Sequence, residues 1–435
     1  MDKNTHSRAA VRPILEPQAE SQVQRRLSLL STTFASLEYR DYVYLWLGQI
    51  THSGALWIDM IARSLLVLQL TGSPVHLGLV MATRTLPAVI FGVFAGVVAD
   101  SFDRRTIPLT TKVTVFGLSA VFAALILGGW IDLWHVYVFT FLRGFTMAFD
   151  QPARRAMIPS IVPAELVTNA MALSAGSIQV MRILGAGLAG VIIAFGGLEM
   201  AFLTIVFCYA GAAVFTWLLK VPGHARPDYR GVRGMGSDLK EGVRFAWRVP
   251  AIRGVFLVAL GYFTFGMTFV SIFAPLFAVK VLDIGESGFG YMMAVTGLGG
   301  VAGALLLAAI SPGRRGLLLT GVLAGLGVLL IGFSAVSYLD SVVLVFVAAG
   351  LVGLGTSVFF PIANAVLVQE APEDMRGRVL GLLSLDRGMT TLGGAAAGFL
   401  VVAMGVQTTL IVFGVCCILS ALVTLAVVPS IRRID

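Results

Sequence analysis

The sequence predicts an all-α integral membrane protein with twelve transmembrane helices in two six-helix, pseudo-symmetric halves. Three observations support this prediction: the apolar composition, the lengths of the apolar runs and an internal repeat. Of the 435 residues, 57% are hydrophobic and 12% are charged, whereas soluble domains carry about 25% charged residues. A soluble fold of this size could not cover so much apolar surface, so the ordinary soluble classes are excluded.

Twelve apolar runs are long enough to cross a bilayer, which takes about 20 helical residues. They cover residues 41–68, 75–99, 107–128, 134–156, 166–195, 198–219, 252–279, 288–310, 316–336, 341–368, 377–404 and 408–430. Helices are expected because the lipid interior offers no hydrogen-bond partners to open backbone groups.

The positions of Lys and Arg test this span count. Twenty-five of the 31 fall in the N-terminal segment, in alternate loops or at the C-terminal end, and the opposite side holds Lys280. Lys112 is assigned to the loop after the second span, and Arg154 to the loop after the fourth. This bias predicts a multi-pass plasma (inner) membrane protein with both termini in the cytoplasm. It also explains the net charge of +8 without nucleic acid as a partner.

An internal repeat divides the chain. Three residues in each half share the spacings 8 and 11 at an offset of 209: Gly144, Pro152 and Pro163, then Gly353, Pro361 and Pro372. Chance agreement among 49 glycines is the alternative. We expect a cytoplasmic segment at 1–40, a six-helix bundle at 41–220, a cytoplasmic linker with an amphipathic helix at 221–251 and a second bundle at 252–435. Such paired halves are typical of transporters with a site between them.

Signals for other functions are missing from the sequence. Residues 1–40 are polar, so we expect no cleavable signal peptide. The three cysteines lie in apolar runs, and the five histidines match no metal motif. No phosphate-binding loop or catalytic constellation is present, so we expect neither an enzyme nor a receptor, and no cofactor other than a proton gradient.

Charged residues inside the spans are candidate functional residues, since ionisable groups are costly in a membrane. They are Asp59, Arg63, Arg84, Arg143, Asp150, Arg182, Asp386 and Arg387. Asp59 and Arg63 share a helix face. They form either a self-neutralising pair or a proton-exchanging carboxylate whose pKa depends on the arginine and on burial. Asp386 is the second candidate for proton coupling.

The arginines bear on the substrate. The candidate cavity residues are Arg63, Arg84, Arg143, Arg182 and Arg387. For Arg84, Arg143 and Arg182 the alternative is a role as structural counter-ions. Because arginines outnumber aspartates in the spans, we expect the cavity to favour an anion such as a carboxylate, a phenolate or a phosphate over a cation.

The stretch GVVADSFDRR at 96–105 resembles the loop signature of the major facilitator superfamily. Four residues match it: Gly96, Asp100, Arg104 and Arg105. Ser101 and Asp103 replace the usual basic residue and glycine. The stretches WLGQ at 46–49 and LVLQLTGSPVHLGLV at 66–80, together with DRR, resemble the twelve-span proton-dependent exporters that include the enterobactin exporter and macrolide efflux proteins.

The chain also departs from the family pattern. MRILGAGLAG at 181–190 resembles the antiporter motif of helix 5, with Ala186 where proline is usual. Thr140 stands where helix 4 usually carries an arginine, and Arg143 follows three residues later. In the family, helices 1, 4, 7 and 10 line the cavity and helices 2, 5, 8 and 11 flank it. The resemblance therefore implies that Arg182 on helix 5 faces the cavity.

The resemblance further implies a conformational latch between the halves. Asp100 would cap the N-terminus of helix 11, where the helix dipole favours a carboxylate. Arg104 and Arg105 would hold Asp150 on helix 4, and Gly96 would allow close approach. An ordinary solvated loop is the alternative.

Residues and resemblance together predict a secondary active transporter, a proton-coupled exporter of the antiporter type that works by alternating access. The expected substrate is a small organic molecule such as a siderophore or drug, with an anion favoured. Uptake, or lipid transport by the same fold, is the alternative. The expected partners are membrane lipid, substrate and protons, and the expected state is a monomer.

Overall fold

The computed structural model describes residues 34–101, 105–220, 244–309, 314–339, 341–372, 375, 379 and 386–433. These residues form helices joined by short turns, and no strand occurs among them. The predicted all-α class is confirmed.

Long helices occupy the positions of the predicted spans. The first half begins with α1 (Arg40–Thr71), α2 (Pro74–Ser101), α3 (Thr106–Leu127) and α4 (Leu133–Ile161). The element Val167–Trp217 has non-helical backbone at Gly197, where φ is 68°, so we number its parts α5 (167–196) and α6 (198–217). The second half contains α7 (Pro250–Val281), α8 (Gly285–Ala309), α9 (Arg315–Val336), α10 (Val342–Glu370), α11 (Asp386–Met404) and α12 (Val406–Val427).

The described helices differ in whether their length and apolarity suffice to cross a membrane. Among the described residues, eight helical elements are long and apolar enough to cross a membrane, with Asn169–Trp217 counted as one, and Gly388–Met404 is a shorter apolar helix. Helix α4 is not among them, and it carries Arg143, Asp150 and Arg154. The count of twelve spans and the domain boundaries therefore stay predictions. Of the predicted linker, residues 244–248 are helical, and 221–243 lie outside the described residues.

Two helix pairs make the most extensive contacts between the halves: α5 packs on α8, and α2 packs on α11. Glycines line both contacts. A Cβ at Gly190 would lie 2.4 Å from the backbone nitrogen of Ala294, and one at Gly78 would lie 2.7 Å from the carbonyl oxygen of Gly394. The backbones approach this closely because these positions lack side chains.

Glycine packing also holds α8 against α10. A Cβ at Gly299 would lie 1.9 Å from the carbonyl oxygen of Gly350. Since backbone cannot move aside as a side chain can, we expect Gly299→Ala to destabilise the protein by about 1–3 kcal/mol. Thermal unfolding in detergent measures this effect.

Gly321→Ala on α9 is the matched control, because no atom lies within 4 Å of its added Cβ. Alanine favours a helix over glycine by about 1 kcal/mol, so this control should melt at or above the wild-type temperature. Equal melting of the two variants would contradict the close packing of α8 on α10.

Candidate functional site

A buried carboxylate on α1 is bound by two arginines. Asp59 is 3% exposed, and Arg63 lies one helical turn later on the same face. Arg63 Nη2 lies 2.6 Å from Asp59 Oδ1, and its Nε lies 3.2 Å from Oδ2. Arg143 of α4 pairs with the same Oδ2. We call Asp59, Arg63, Arg143 and Tyr209 the Asp59 cluster.

Neighbouring helices hold both guanidiniums in place. Arg63 donates to Thr140 Oγ1 at 3.3 Å and lies 4.4 Å from the centre of the Phe122 ring on α3. Arg143 donates to the hydroxyl of Tyr209 on α6. The Asp59 cluster therefore joins α1, α3, α4 and α6 inside the first half.

The charges of the Asp59 cluster do not balance. Two guanidiniums, which stay protonated in proteins, face one carboxylate. In this conformation a proton on Asp59 would leave two buried cations without a counter-charge, which is costly. Proton binding at Asp59 therefore requires that Arg63 and Arg143 move or that another anion replaces the carboxylate.

A second buried carboxylate, Asp150, lies further along α4. Lys112 Nζ of α3 is 2.8 Å from its Oδ1, and Arg154 Nε is 3.6 Å from its Oδ2. Thr111 donates to Oδ1 at 3.2 Å. Arg154 also donates to the side-chain oxygen of Gln49 on α1. We call Asp150, Lys112, Arg154 and Gln49 the Asp150 cluster.

Both clusters lie on one polar seam between the antiparallel helices α1 and α4. Three residues on each helix share the spacings seven and four: His52, Asp59 and Arg63, then Arg143, Asp150 and Arg154. These spacings place residues on one helix face. The contacts between the helices follow, since Gln49 meets Arg154 and Asp59 meets Arg143. This shared spacing is visible in the sequence and is the signal that indicates the seam.

The assignment of Lys112 and Arg154 to cytoplasmic loops is wrong. Their exposed fractions are 2% and 8%, and they lie within α3 and α4. Asp150 supplies the counter-charge that allows cations to be buried there. Gln49 and Tyr209 were not predicted as site residues, because a search for charges inside spans does not find uncharged side chains.

A narrow cleft lies between the halves, and Arg182 lines it together with residues of α1, α7, α8 and α10. The Arg182 guanidinium lies 4.5 Å from the centre of the Phe360 ring. Three hydroxyl groups share the cleft, those of Thr296, Thr356 and Ser357. The cleft thus combines a cation with hydrogen-bonding groups and apolar walls.

The fold and the sequence match known transporters. Residues 31–434 match the model of the transmembrane secretion effector family. The chain belongs to this family. The predicted resemblance to the major facilitator superfamily is thereby confirmed, and members of the family are membrane transporters.

Two named relatives align with this chain over most of their length. The chain is 29% identical over 392 residues to the multidrug efflux pump Tap of Mycolicibacterium fortuitum, covering 87% of this chain and 93% of Tap. It is 26% identical over 370 residues to the staphyloferrin A transporter of Staphylococcus aureus, covering 82% of this chain and 89% of the relative.

Solved structures of other proteins share the fold of this chain. A bacterial homologue of the human lysosomal transporter Spinster, in an inward-facing and unoccupied conformation, superposes with a TM-score of 0.68 at 13% identity, covering 90% of this chain and 98% of that one. A D-xylose–proton symporter gives 0.67 at 16% identity, covering 91% and 99%. At these identities the likeness shows the fold alone.

The other predicted cavity residues lie in different places. Arg63 and Arg143 are bound by Asp59 inside the first half. Arg84 is half-buried on α2, where its carbonyl oxygen packs against Gly144 of α4. The side chains of Arg387 and of Asp386, the second proton-coupling candidate, lie outside the described residues.

The structure describes only part of the loop signature at 96–105. Arg105 donates to the backbone carbonyl of Trp217, whereas Asp150 takes Lys112 and Arg154 as partners in place of the predicted Arg105. The physical reason is proximity, since these two cations are buried beside Asp150. The side chains around Gly96 and Asp100, and all of Arg104, lie outside the described residues.

Proposed function

We propose that this protein is a proton-coupled exporter of a small organic anion, such as a siderophore or an anionic drug, and that it works as an antiporter by alternating access. The Asp59 cluster carries the proposal, because it places a carboxylate between two arginines inside one half of a transporter fold. Export is supported by two relatives, one named a multidrug efflux pump and one a staphyloferrin A transporter.

We further propose that the protein is a monomer in the plasma (inner) membrane, with both termini in the cytoplasm. The Lys and Arg bias of the loops supports this orientation. The halves at 41–220 and 252–435 rock about the linker at 221–251. The latch of Gly96, Asp100, Arg104 and Arg105 against helix 11 remains part of the proposal, without Asp150 as the partner of Arg105.

Asp59 is the proposed proton-exchanging group, ahead of Asp386. Bound between Arg63 and Arg143, its carboxylate is held ionised in the observed conformation. It can accept a proton when a rearrangement within the first half, coupled to rocking, moves the guanidinium groups of Arg63 and Arg143 away from it. Proton binding is thereby tied to one conformation, and this link is what a coupled transporter needs.

Arg182 is the proposed substrate-binding residue. Its guanidinium lines the cleft, and no carboxylate among the described residues lies within ion-pair distance of it. The planar guanidinium binds a carboxylate or sulfonate through two parallel hydrogen bonds. Thr296 and Ser357 also line the cleft. Their hydroxyls donate to carbonyls of their own helices, so each must release that bond before it can donate to a bound anion. A cation in this cleft would meet an unneutralised positive charge.

Charge selectivity tests the proposal. In inside-out vesicles with an acidic interior, we expect accumulation of aryl sulfonates and aryl carboxylates, and none of the cation tetraphenylphosphonium. Arg182→Gln should reduce anion accumulation about tenfold or more, since a charge-assisted hydrogen bond contributes about 1.5–3 kcal/mol.

The matched control is the variant Arg248→Gln, because Arg248 is exposed and lies outside the cleft. This variant should transport like the wild type. Preferential accumulation of tetraphenylphosphonium by the wild type would contradict the proposed substrate class. Anion transport that survives Arg182→Gln unchanged would move the substrate site elsewhere.

A further inference from the structure

His52 is a buried histidine between the two carboxylate clusters. It lies on α1 seven residues before Asp59, on the same helix face, and is 8% exposed. Its ring meets that of Tyr209 edge-on, with the ring centres 5.3 Å apart. It therefore contacts the Asp59 cluster through Tyr209.

One ring nitrogen of His52 lacks a hydrogen-bond partner among the described residues. Its Nδ1 is buried and has no hydrogen-bond partner among the described residues. Buried polar groups in proteins are nearly always hydrogen-bonded, so an exception calls for a physical reason. A nitrogen that must take up and release a proton in another conformation provides one.

The carboxylates near His52 already have other partners in the observed conformation. The titratable groups on the helices packed against it are Lys112 on α3, Arg143, Asp150 and Arg154 on α4, and Tyr209 on α6, with Asp59 on its own helix. Three of these are cations, and both carboxylates are already held by cations. Neither carboxylate is therefore available to pair with an imidazolium in this arrangement.

One change of partner would reverse this. His52, Lys112 and Asp150 line the same narrow cavity between α1, α3 and α4. Asp150 Oδ1 is held there by Lys112 at 2.8 Å, while Arg154 lies 3.6 Å from its other oxygen. A carboxylate that turns across the cavity exchanges the ammonium for an imidazolium of equal charge and keeps Arg154 beside it.

We propose that His52 is a second proton-binding residue, and that in its protonated form it takes Asp150 from Lys112. A hydronium ion from the aqueous phase donates the proton: one of its O–H bonds breaks, the Nδ1–H bond forms, and a water molecule is left. The exchange ties α1 to α4 and loosens α3 from α4. Lys112 then lacks its counter-charge, so its ammonium group must move toward water or release its proton. The use of this exchange as the cytoplasmic proton step of transport rests on the proposed function, whereas proton binding by His52 does not.

Nitrogen-15 NMR of the imidazoles tests this in the full chain in lipid nanodiscs. The chain has five histidines, and His52 is assigned by the signal that His52→Gln removes. We expect the His52 signal to change from the neutral to the protonated form as the pH falls from about 8 to about 5, because the exchange of partners supplies a carboxylate to the imidazolium. His76, whose Nδ1 lies 2.8 Å from Tyr137 Oη away from the clusters, is the internal control.

Two variants test the exchange of partners in opposite directions. At fixed pH, Lys112→Met should raise the ratio of protonated to neutral His52 about tenfold, because the competitor for Asp150 is gone. Asp150→Asn should lower the ratio about tenfold, and His76 should not change in either variant. If Asp150→Asn does not fold, Lys112→Met alone decides.

A His52 that stays neutral across this range, or a ratio that Lys112→Met leaves unchanged or lowers, would overturn the proposal. No substrate and no gradient is present in these samples. The outcome is therefore independent of whether the chain exports anions, and failure of one proposal is distinguishable from failure of the other.

Discussion

Replacing Asp59 by asparagine is expected to abolish proton-driven transport while exchange of substrate across the membrane continues. The amide oxygen can still accept hydrogen bonds from Arg63 and Arg143, but it cannot bind and release a proton at physiological pH. Because both arginines lose their counter-charge, the variant should also be less stable than the wild type. Exchange of labelled for unlabelled substrate requires no net proton movement. The variant therefore separates proton coupling from substrate binding and rocking.

Both activities can be measured in the same proteoliposomes and normalised to folded protein. Asp132→Asn is the matched control, because Asp132 is exposed and caps the N-terminus of α4, a role that asparagine also fills. Proton-driven transport at the wild-type rate in Asp59→Asn would remove Asp59 from the mechanism.

Replacing Asp150 by alanine is expected to destabilise the protein by about 3–5 kcal/mol, because Lys112 and Arg154 then remain buried without a counter-charge. Lys112→Met should cost much less, since Asp150 keeps Arg154. The double variant Asp150→Ala/Lys112→Met should be more stable than Asp150→Ala alone, because one of the two uncompensated cations is gone.

Thermal unfolding followed by size-exclusion chromatography measures all three variants. The order Asp150→Ala, double variant, Lys112→Met, wild type is expected from lowest to highest midpoint. An Asp150→Ala variant that melts with the wild type would contradict a buried Asp150 cluster. Additive effects of the two substitutions would show that Lys112 and Asp150 do not interact.

The all-helical class and the superfamily followed from the sequence because they depend on composition and on a local motif. Apolar runs of helix length leave no other spanning structure in lipid, and the residues at 96–105 carry the loop signature. Helix ends were harder to predict. The predicted runs 166–195 and 198–219 do separate at Gly197, where φ is 68°, but α4 extends to Ile161, beyond the predicted run 134–156.

Some residues of the candidate site could be predicted from the sequence and others could not, for a physical reason. Asp59 and Arg63 stand out because two charges one turn apart in an apolar helix are rare. Arg143 was identified as a charge inside a span, but its pairing with Asp59 depends on how α4 packs on α1. Lys112 and Arg154 lie near the ends of apolar runs, where sequence cannot distinguish a loop cation from a buried one. Only tertiary packing places Asp150 beside them.

The central claim is that protons exchanged at a buried carboxylate drive anion export, and counting both ions in one vesicle tests it most directly. Purified protein is reconstituted with a trapped pH indicator and supplied with a radiolabelled aryl sulfonate under an imposed pH gradient. We predict proton movement opposite to the anion, in a fixed ratio at all anion concentrations, and none in Asp59→Asn. Anion transport that continues unchanged after nigericin collapses the pH gradient would contradict the claim.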